Sequence, residues 1–270
     1  GQVIDAIRKR VVAAKTLDLG EWTPNAEVWL HQMFDDAYIF PMGAVPKGRF
    51  DPDDMRPTDD HSRTLLNEAT DKDSLSYSLE AHKELAWFLK LNCVMSVADV
   101  DGAFPILPLA VWLWAFMMFR FYSRKGTSRG QNLYLHMFGD FGAAGMPGTF
   151  KIFFVDVVLQ MARSVMILTL PLVVYVDDLG LVGQPGRKKQ VDDEMLLLQD
   201  WSEEEVGVAF KKKKNSPASE QQLYIGFVWD STTLTRTLEE RNLLHYIELL
   251  AHVASMKVLT LQERQSCAGK

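Results

Sequence analysis

The sequence predicts an α+β fold in which helices cover one face of a β-sheet. Two observations predict it. The middle of the chain alternates between strand-like and helix-like apolar spacing, in the order strand, helix, strand–turn–strand, helix and strand. The chain has 270 residues, of which 47% are hydrophobic and 24% charged. It can therefore bury a substantial core, as one large domain or as two to three subdomains.

Residues 41–99 predict loops, a helix and then a strand that ends at a carboxylate. Residues 41–75 are rich in Pro, Gly, Asp and Ser, which indicates loops and short edge strands. Residues 78–90 place apolar side chains at helical spacing. The next segment, LNCVMSVADV, is rich in β-formers and predicts a strand that ends at Asp99.

An uncharged run from Gly102 to Phe119 is long enough for a membrane span to be considered. Pro105 and Pro108 lie in its first half, and acidic residues precede it. We therefore expect a strand that continues into a buried helix, and no contact with a membrane.

A glycine-rich turn, FGDFGAAGMPG, follows at residues 138–148. Pro147 fits the first turn of a helix whose apolar face continues for five turns. That face comprises Phe150, Phe153, Phe154, Val157, Val158, Met161, Val165 and Leu168. The strand LPLVVYV, the pair Asp177–Asp178 and the strand LGLVG then predict a β-hairpin.

The sequence of the remaining chain predicts one strand with a helix before it and a helix after it. A charged helix is expected at about 190–205, a strand in QLYIGFVWDS, and an amphipathic helix at 239–256. The segment from Thr260 to Glu263 has the pattern of a capping box that opens a last helix. We interpret the chain as a fragment of a longer polyprotein, because it starts without Met and stops within this helix.

Charge and cysteine content leave the function open. The net charge of −6 is a poor match to a nucleic-acid binder, although the chain has local basic patches. These patches are Arg120, Arg124, Lys125 and Arg129, and Lys211 to Lys214. Cys93 and Cys267 are far apart, which argues against a disulfide framework or a zinc site. A reducing intracellular setting follows, with cytoplasm and nucleus both open.

Three carboxylates are the candidates for metal chemistry. Asp99 ends one predicted strand, and Asp177 and Asp178 lie in the hairpin turn. If these strands are neighbours, the carboxylates converge at one sheet edge, where Mg²⁺ finds the oxygen ligands it prefers. Paired metal ions serve in-line displacement at phosphorus. An Asp–Asp pair alone is more typical of a solvent-exposed turn, so both interpretations stand at this point.

Several motifs carry a resemblance to a known family. The YVDD segment at 175–178 resembles the YxDD box of reverse transcriptases, and DVDGAF at 99–104, followed by LPL, resembles their first palm motif. FG at 141–142, with GMP and TF after it, resembles the FG…AP.TF element, and LYIGF at 223–227 resembles the strand that holds the primer.

Two further motifs extend the resemblance to both ends of the chain. RPTDDHSRTLLN at 56–67 resembles the fingers pattern R…D.R.LN, and LQERQSCAGK at 261–270 resembles a thumb segment. These six elements occur in the family's order between residues 47 and 270. The sequence thus resembles the reverse transcriptase of a retrotransposon, either LTR-type or DIRS-like.

The resemblance implies a right-hand polymerase fold with a ferredoxin-like palm. Fingers are expected at 1–92 and 112–146, palm at 93–111 and 147–232, and the start of a truncated thumb at 233–270. The implied activity is RNA-directed DNA polymerisation, a two-metal-ion transfer of dNTPs to a primer 3′-OH. It implies two Mg²⁺ ions, with Mn²⁺ as a substitute. The implied partners are an RNA or DNA template and a DNA or RNA primer, with RNase H or an integrase or recombinase elsewhere in the polyprotein.

The resemblance also assigns site residues. The catalytic and metal-binding set is Asp99, Asp177 and, as a weaker ligand, Asp178, with Val100 added to the metal-binding set. The nucleotide-binding set is Phe104, Ala103, Arg56, Lys47, Phe141, Gly142 and Lys214. The primer grip is Tyr224, Ile225 and Gly226. Phe104 is expected to press on the sugar and exclude a 2′-OH, and Lys213 or Lys214 is expected to protonate pyrophosphate.

Departures from the family pattern leave alternatives. Asp101–Gly102 inverts the usual small–acidic order, and Thr64 stands where Arg is frequent. An RNA-dependent RNA polymerase is disfavoured, since that family usually carries GDD at the hairpin and no aromatic residue at the position of Phe104. A decayed or domesticated reverse-transcriptase fold that acts as a nucleic-acid-binding scaffold is the other alternative, although all three carboxylates are present.

Overall fold

The computed structural model describes residues 2–48, 51–71, 73–75, 80–122 and 130–255, with the backbone alone for 47, 48, 51–54 and 56. These residues form two compact units, and strands and helices are numbered in chain order. The first unit comprises Gly1–Leu79, Val100–Leu168 and Leu198–Phe210. The second comprises Glu80–Asp99, Thr169–Leu197 and Lys211–Lys270.

A four-stranded sheet forms the centre of the first unit. Its order is β1 (Thr16–Glu21), β7 (Gln131–His136), β6 (Met118–Tyr122) and β2 (Ile39–Phe40), with β2 parallel to β6 and the other neighbours antiparallel. Helices α1 (Gln2–Val12) and α2 (Pro24–Met33) precede β1 and β2. Two apolar clusters are buried here: Ile7, Phe40, Phe119 and Tyr134, and Leu30, Met117, Met118, Leu133 and Leu135.

A separate hairpin occupies part of the region where loops and short edge strands are predicted. Strands β3 (Met42–Gly48) and β4 (Asp51–Asp59) pair antiparallel. Both strands are edge strands, as predicted, but they are longer than expected. A two-stranded ribbon needs no alternating buried face, so polar and proline-containing segments can form it. A 3₁₀ turn at His61–Thr64 and the short helix α3 (Leu66–Ala69) follow.

The uncharged run does not form the buried helix that we expected. It forms two 3₁₀ segments, Phe104–Ile106 and Val111–Phe116, and then enters β6. The prolines explain this difference, since proline removes backbone donors and cannot continue an α-helix. Among the described residues, no helix combines the length and apolar character that crossing a membrane requires.

The predicted long helix is present, with a π-helical middle. It runs through α5 (Met146–Phe150), a π segment at Lys151–Val158 and α6 (Leu159–Ser164). The fully buried side chains on it recur every four residues, which suits the wider turn of the π segment. They are Phe150, Phe154, Val158 and Ala162.

The second unit contains an antiparallel four-stranded sheet. Its order is β10 (Ser216–Ser219), β5 (Val94–Asp99), β9 (Asp178–Gly183) and β8 (Leu172–Tyr175). Helix α4 (Ala81–Phe88) precedes β5, and α7 (Lys188–Trp201) follows β9, both as predicted within a few residues. The core is Ala81, Leu85, Cys93, Met95, Val173, Val182, Tyr224 and Trp229.

A small three-stranded sheet completes the second unit. The segment expected as one strand is a hairpin of β11 (Gln221–Tyr224) and β12 (Phe227–Asp230), to which β13 (Thr235–Leu238) adds. Helix α8 (Glu240–Ser255) matches the predicted amphipathic helix. The predicted capping box and thumb motif at 260–270 lie outside the described residues.

Candidate functional site

Strand pairing in the second unit brings the three predicted carboxylates together. In the β5–β9 ladder Asp99 lies directly opposite Asp178. Asp177 occupies the turn between β8 and β9. Leu179 and Leu181 on β9 and Val173 on β8 are fully buried, so the strands that carry the acidic residues are anchored in the core. The apolar runs on both sides of the pair hold the turn in place.

The turn that presents Asp177 is conformationally strained. Tyr175 pairs with Asp178, so Val176 and Asp177 form a two-residue hairpin turn. Val176 has φ 56°, and a positive φ at the first turn position usually requires glycine. A β-branched residue in this region costs on the order of 1–3 kcal/mol, which the paired strands must offset. Such outliers concentrate at functional sites.

Negative charge is crowded at this hairpin. Burial, followed by repulsion from Asp177 and Asp99, raises the pKa of Asp178 to about 6. Burial and then the Asp99 charge also raise the pKa of Asp177. Because close carboxylates resist simultaneous ionisation, a cation bound among them relieves the repulsion. The donor set, three carboxylates at one sheet edge, fits the oxygen ligands of Mg²⁺.

Two lysines of the basic run supply positive charge in this structure. The ammonium groups of Lys211 and Lys214 each donate to one oxygen of Asp99, and Lys211 Nζ lies 3.9 Å from Asp177 Oδ2. Contact with Asp99 outweighs burial and raises the pKa of Lys214. A 3₁₀ turn spans Lys212–Lys214, and side chains three residues apart eclipse in such a turn. Sequence reasoning named Lys213 or Lys214 from this run and did not single out Lys211, which this spacing could have indicated.

The predicted primer-grip residues form the β11–β12 turn. Ile225 at φ 44° and Gly226 at φ 78° join the two strands, and positive φ at both positions is the type I′ pattern. Tyr224 is buried, and its hydroxyl lies 3.2 Å from the carbonyl oxygen of Val173 and 3.1 Å from that of Asp178. Tyr224 thus supports the backbone of the acidic hairpin directly.

The predicted sugar-contacting residues lie in the first unit. The Phe104 ring is 7% exposed and packs 5.0 Å from the ring of Phe141, centroid to centroid, while Phe141 is 54% exposed. Ala103 and Val100 are buried, and Val100 bridges to Phe210. Val100 has only its backbone carbonyl to offer a metal ion.

Gly142 lies where no side chain fits. A Cβ at this position would lie 1.9 Å from the carbonyl oxygen of Asp59. Asn67 fixes the same turn, since its Nδ2 donates to the Gly142 carbonyl at 3.0 Å and its Oδ1 accepts from the Ala144 amide at 2.7 Å. Asn67 belongs to the recognised fingers motif, but the motif gave no indication of this bond.

Lys47 and Arg56, the predicted triphosphate contacts, lie on the β3–β4 hairpin, with Arg56 opposite Val45. Their side chains lie outside the described part of the structure.

Sequence reasoning missed a buried group of acidic and imidazole side chains in the first unit. Oxygen or nitrogen atoms of Asp59, His136 and Asp140 all lie within 4.8 Å of one another. His61 Nε2 donates to Asp140 Oδ2 at 2.6 Å, and Asp140 Oδ1 accepts from the amide of Gly142 at 2.9 Å. Burial raises the pKa of Asp140, but the bond and charge of His61 outweigh it and hold that pKa below its ordinary value.

Comparison with solved structures identifies the fold. The chain is similar to the foamy viral protease-reverse transcriptase dRH in complex with double-stranded DNA, with a TM-score of 0.65 and 16% sequence identity. The alignment covers 99% of this chain and 39% of that chain. The described residues thus form a mixed α and β fold of the reverse-transcriptase-like class. No protein-family model and no curated protein matches the sequence.

Proposed function

We propose that the chain is the polymerase region of a retroelement reverse transcriptase, LTR-type or DIRS-like. It adds dNTPs to the 3′-OH of a DNA or RNA primer on an RNA or DNA template. One observation carries this proposal: in a reverse-transcriptase-like fold, Asp99 lies opposite Asp178 and a strained two-residue turn presents Asp177 beside them. Such a cluster binds the Mg²⁺ ions that phosphoryl transfer requires.

The acidic residues hold the ions. Asp99 and Asp177 are the main ligands, Asp178 is a weaker one, and the Val100 carbonyl completes the set. When bound, two Mg²⁺ ions, or Mn²⁺ in their place, supply Lewis acidity toward the 3′-OH and the α-phosphate. Lys214, which pairs with Asp99 in this structure, becomes available to donate a proton to the leaving pyrophosphate.

The nucleotide side of the proposal assigns roles in the first unit. The Phe104 ring excludes a ribose 2′-OH, and its packing against Phe141 and Phe150 keeps it from moving aside. Ala103 and Gly142 leave room for the sugar and the templating pair. Arg56 and Lys47 bind the triphosphate, Arg56 through its two-pronged guanidinium.

The domain layout belongs to the proposal as well. It comprises fingers at 1–92 and 112–146, palm at 93–111 and 147–232, and thumb from 233, with Tyr224, Ile225 and Gly226 holding the primer. The chain spans 39% of the length of the viral relative. We propose that a longer intracellular polyprotein carries RNase H or an integrase or recombinase elsewhere.

Primer extension tests the activity. The purified chain should extend a DNA primer on an RNA template with dNTPs and Mg²⁺. Asp177→Asn should lower the rate on the order of 10³-fold, because the several kcal/mol that metal ligation supplies is lost. Asp193→Asn is the matched control, since Asp193 is exposed on α7 and pairs only with Lys189 among the ion pairs described. Binding of template–primer without extension in any divalent metal would favour the scaffold function instead.

Sugar selection tests the role of Phe104 separately. Phe104→Ala should admit ribonucleotides while dNTP extension persists. Unchanged discrimination between ribose and deoxyribose would remove Phe104 from this role.

A further inference from the structure

We propose that Asp59, His136 and Asp140 bind one divalent transition-metal ion, best matched by Zn²⁺, inside the first unit. This ion is distinct from the Mg²⁺ proposed for the carboxylates of the second unit. The proposal does not depend on polymerase activity.

The three residues come from separate segments and are all buried. Asp59 ends β4, His136 ends β7, and Asp140 lies in the loop that follows β7. They are 3%, 2% and 0% exposed, respectively. Their ligand atoms lie within 4.8 Å of one another. Charged side chains are almost never buried to this degree unless they are paired or coordinate a metal.

The buried carboxylate of Asp59 is the observation that points to a cation site. Both of its carboxylate oxygens are buried and neither has a hydrogen-bond partner. Among the described residues, the cationic groups within ion-pair distance of Asp59 are His136 Nε2 at 3.6 Å and Arg10 Nη1 at 3.7 Å. A buried ionised carboxylate without hydrogen bonds is costly, and a bound metal ion would remove that cost.

The hydrogen bonds of His136 fix a metal-binding tautomer. Arg10 Nη1 lies 3.3 Å from His136 Nε2, and arginine can only donate, so Nε2 carries the lone pair. Nδ1 therefore carries the proton and donates to Thr16 Oγ1 at 2.8 Å. Metal-binding histidines usually donate their second ring N–H in this way, which orients the ring. Nε2 also lies 3.6 Å from Asp59 Oδ1, so this nitrogen could share a cation with that oxygen once Arg10 moves away.

Arg10 occupies the position of the positive charge in this structure. Its side chain is 16% exposed, whereas that of Asp59 is 1% exposed. A long, partly exposed side chain can swing outward while the buried ligands stay in place. A divalent ion would then neutralise the two carboxylates, and Arg10 would become a competitor of the metal.

The ligand set selects the class of metal. One imidazole nitrogen with two carboxylates suits Zn²⁺ or a similar transition metal better than Mg²⁺, which keeps its waters and prefers oxygen. Zn–ligand distances of about 2.0–2.1 Å place tetrahedral ligand atoms about 3.4 Å apart, so the site must contract slightly. The second oxygen of Asp59, which also has no hydrogen-bond partner, would complete a distorted four-donor set, because both oxygens belong to one carboxylate.

An ion at this position would brace the Phe141–Gly142 turn. Asp140 accepts from the amides of Gly142 and Ala143 at 2.9 and 3.0 Å. The carbonyl of Asp59 packs against Gly142 so closely that no Cβ fits. The metal would therefore tie β4 and β7 to this turn as a structural site without an open coordination position.

Metal content tests the proposal on the full chain. The protein is stripped with EDTA, incubated with a slight excess of ZnCl₂ in MgCl₂ buffer, desalted and analysed by mass spectrometry for metals. We expect a single Zn²⁺ per chain. We also expect a rise in unfolding temperature of about 5 °C when free Zn²⁺ exceeds Kd a hundredfold. Absence of retained Zn²⁺ in the wild-type chain would overturn the proposal.

Isosteric variants locate the ion. Asp59→Asn should abolish retention, whereas Asp60→Asn, the neighbouring and half-exposed carboxylate, should retain the ion. Asp177→Asn should also retain it, because Asp177 belongs to the second unit. Loss of Zn²⁺ in Asp177→Asn, or its retention in a folded Asp59→Asn protein, would contradict the assignment.

Arg10→Met keeps the proposal testable even where Asp59→Asn fails to fold. If a metal competes with Arg10, the neutral variant should bind Zn²⁺ about tenfold or more tightly than wild type, since a competing charge is gone. If the cluster is only an internal ion-pair network, Arg10→Met will lose stability that Zn²⁺ does not restore, and the proposal fails.

Discussion

The two units each hold a group of carboxylates, and the two groups differ in their charged partners and in the direction in which the pKa values are shifted. Asp99, Asp177 and Asp178 are crowded with like charge, two of them have raised pKa values, and lysines from a surface run reach in to them. Asp59 and Asp140 are buried among imidazoles. Both groups join strand ends that are far apart in the chain, since Asp99 meets Asp178 in the first and Asp59 meets His136 in the second.

This difference indicates that carboxylates serve two purposes in the molecule, one at an exchangeable ion site and one in a structural role. Asp177 and Asp178 are partly exposed, although Asp99 is buried. Mutual repulsion among these three carboxylates suits the exchangeable Mg²⁺ ions of the proposed polymerase site, because Lys211 and Lys214 can pair with Asp99 when no ion is bound. Fully buried acidic groups with fixed imidazole partners suit a permanent structural role. Substitutions of the carboxylates in the second unit should therefore mainly affect activity, and substitutions of the buried acidic residues in the first unit should mainly affect stability.

The largest expected effect on stability follows from Asp140→Ala. The change leaves His61 buried without its carboxylate and removes the acceptor of two backbone amides. We expect a loss of about 3–5 kcal/mol, measured by urea denaturation. Asp60→Ala is the control, since its ion pair with Arg63 is exposed and worth at most about 1 kcal/mol. Equal losses for the two variants would erase the contrast between buried and exposed acidic residues.

Gly142→Ala should have the second-largest effect on stability. A Cβ would lie 1.9 Å from the Asp59 carbonyl, a backbone atom that cannot rotate away. We expect at least about 1–3 kcal/mol of destabilisation by overpacking, together with reduced primer extension. At Gly43 on β3 the nearest atom, the Thr58 carbonyl, is 3.8 Å away, so Gly43→Ala should leave both measurements near wild type.

Asp178→Asn should change stability by a smaller amount than these two variants, and it should stabilise the protein where they destabilise it. Neutralising one of two carboxylates that lie opposite each other in a sheet removes repulsion, so the EDTA-treated protein should gain about 0.5–1 kcal/mol. Calorimetry with and without Mg²⁺ checks this, since Mg²⁺ should raise the unfolding temperature of wild type more than that of the variant. A destabilised variant would show that Asp178 is structurally paired rather than repelled.

The smallest expected effect concerns pH and His82. Burial, and then the charge of Arg236, lower the pKa of His82, whose ring stacks on Trp229. His82 is therefore protonated at a higher pH in the unfolded chain than in the folded chain. The free energy of unfolding falls as pH drops through the ordinary histidine pKa of 6.5. His82→Phe keeps the ring contacts and should flatten this decline between about pH 7 and 5. If the unfolding free energies of wild type and variant fell in parallel as pH is lowered, the role assigned to His82 would be wrong.

The sequence predicted the acidic hairpin because its signals are local. Alternating apolar residues on both sides of Asp177 and Asp178 predict paired strands, and the YVDD and DVDGAF segments added a resemblance to a family. The convergence of Asp99 with Asp178 needed only the neighbourhood of the two strands, which the β5–β9 ladder confirms.

The buried cluster of the first unit could not be predicted in this way. His61 meets Asp140 across 79 positions in the chain, and His136 meets Thr16 across 120. Each residue alone has the sequence signature of an ordinary polar residue, and only tertiary packing shows that it is buried. The β3–β4 hairpin was underestimated for a related reason, since its strands lack the alternation that indicates a buried face.

The positive φ of Val176 has a consequence for how the gene should change over time. Glycine would relieve the strain at this turn, and a single base change converts a valine codon into a glycine codon. Glycine at this position should make the hairpin easier to form and should hold Asp177 less firmly. Selection for the proposed metal site would then keep valine, whereas selection for folding stability alone would favour glycine.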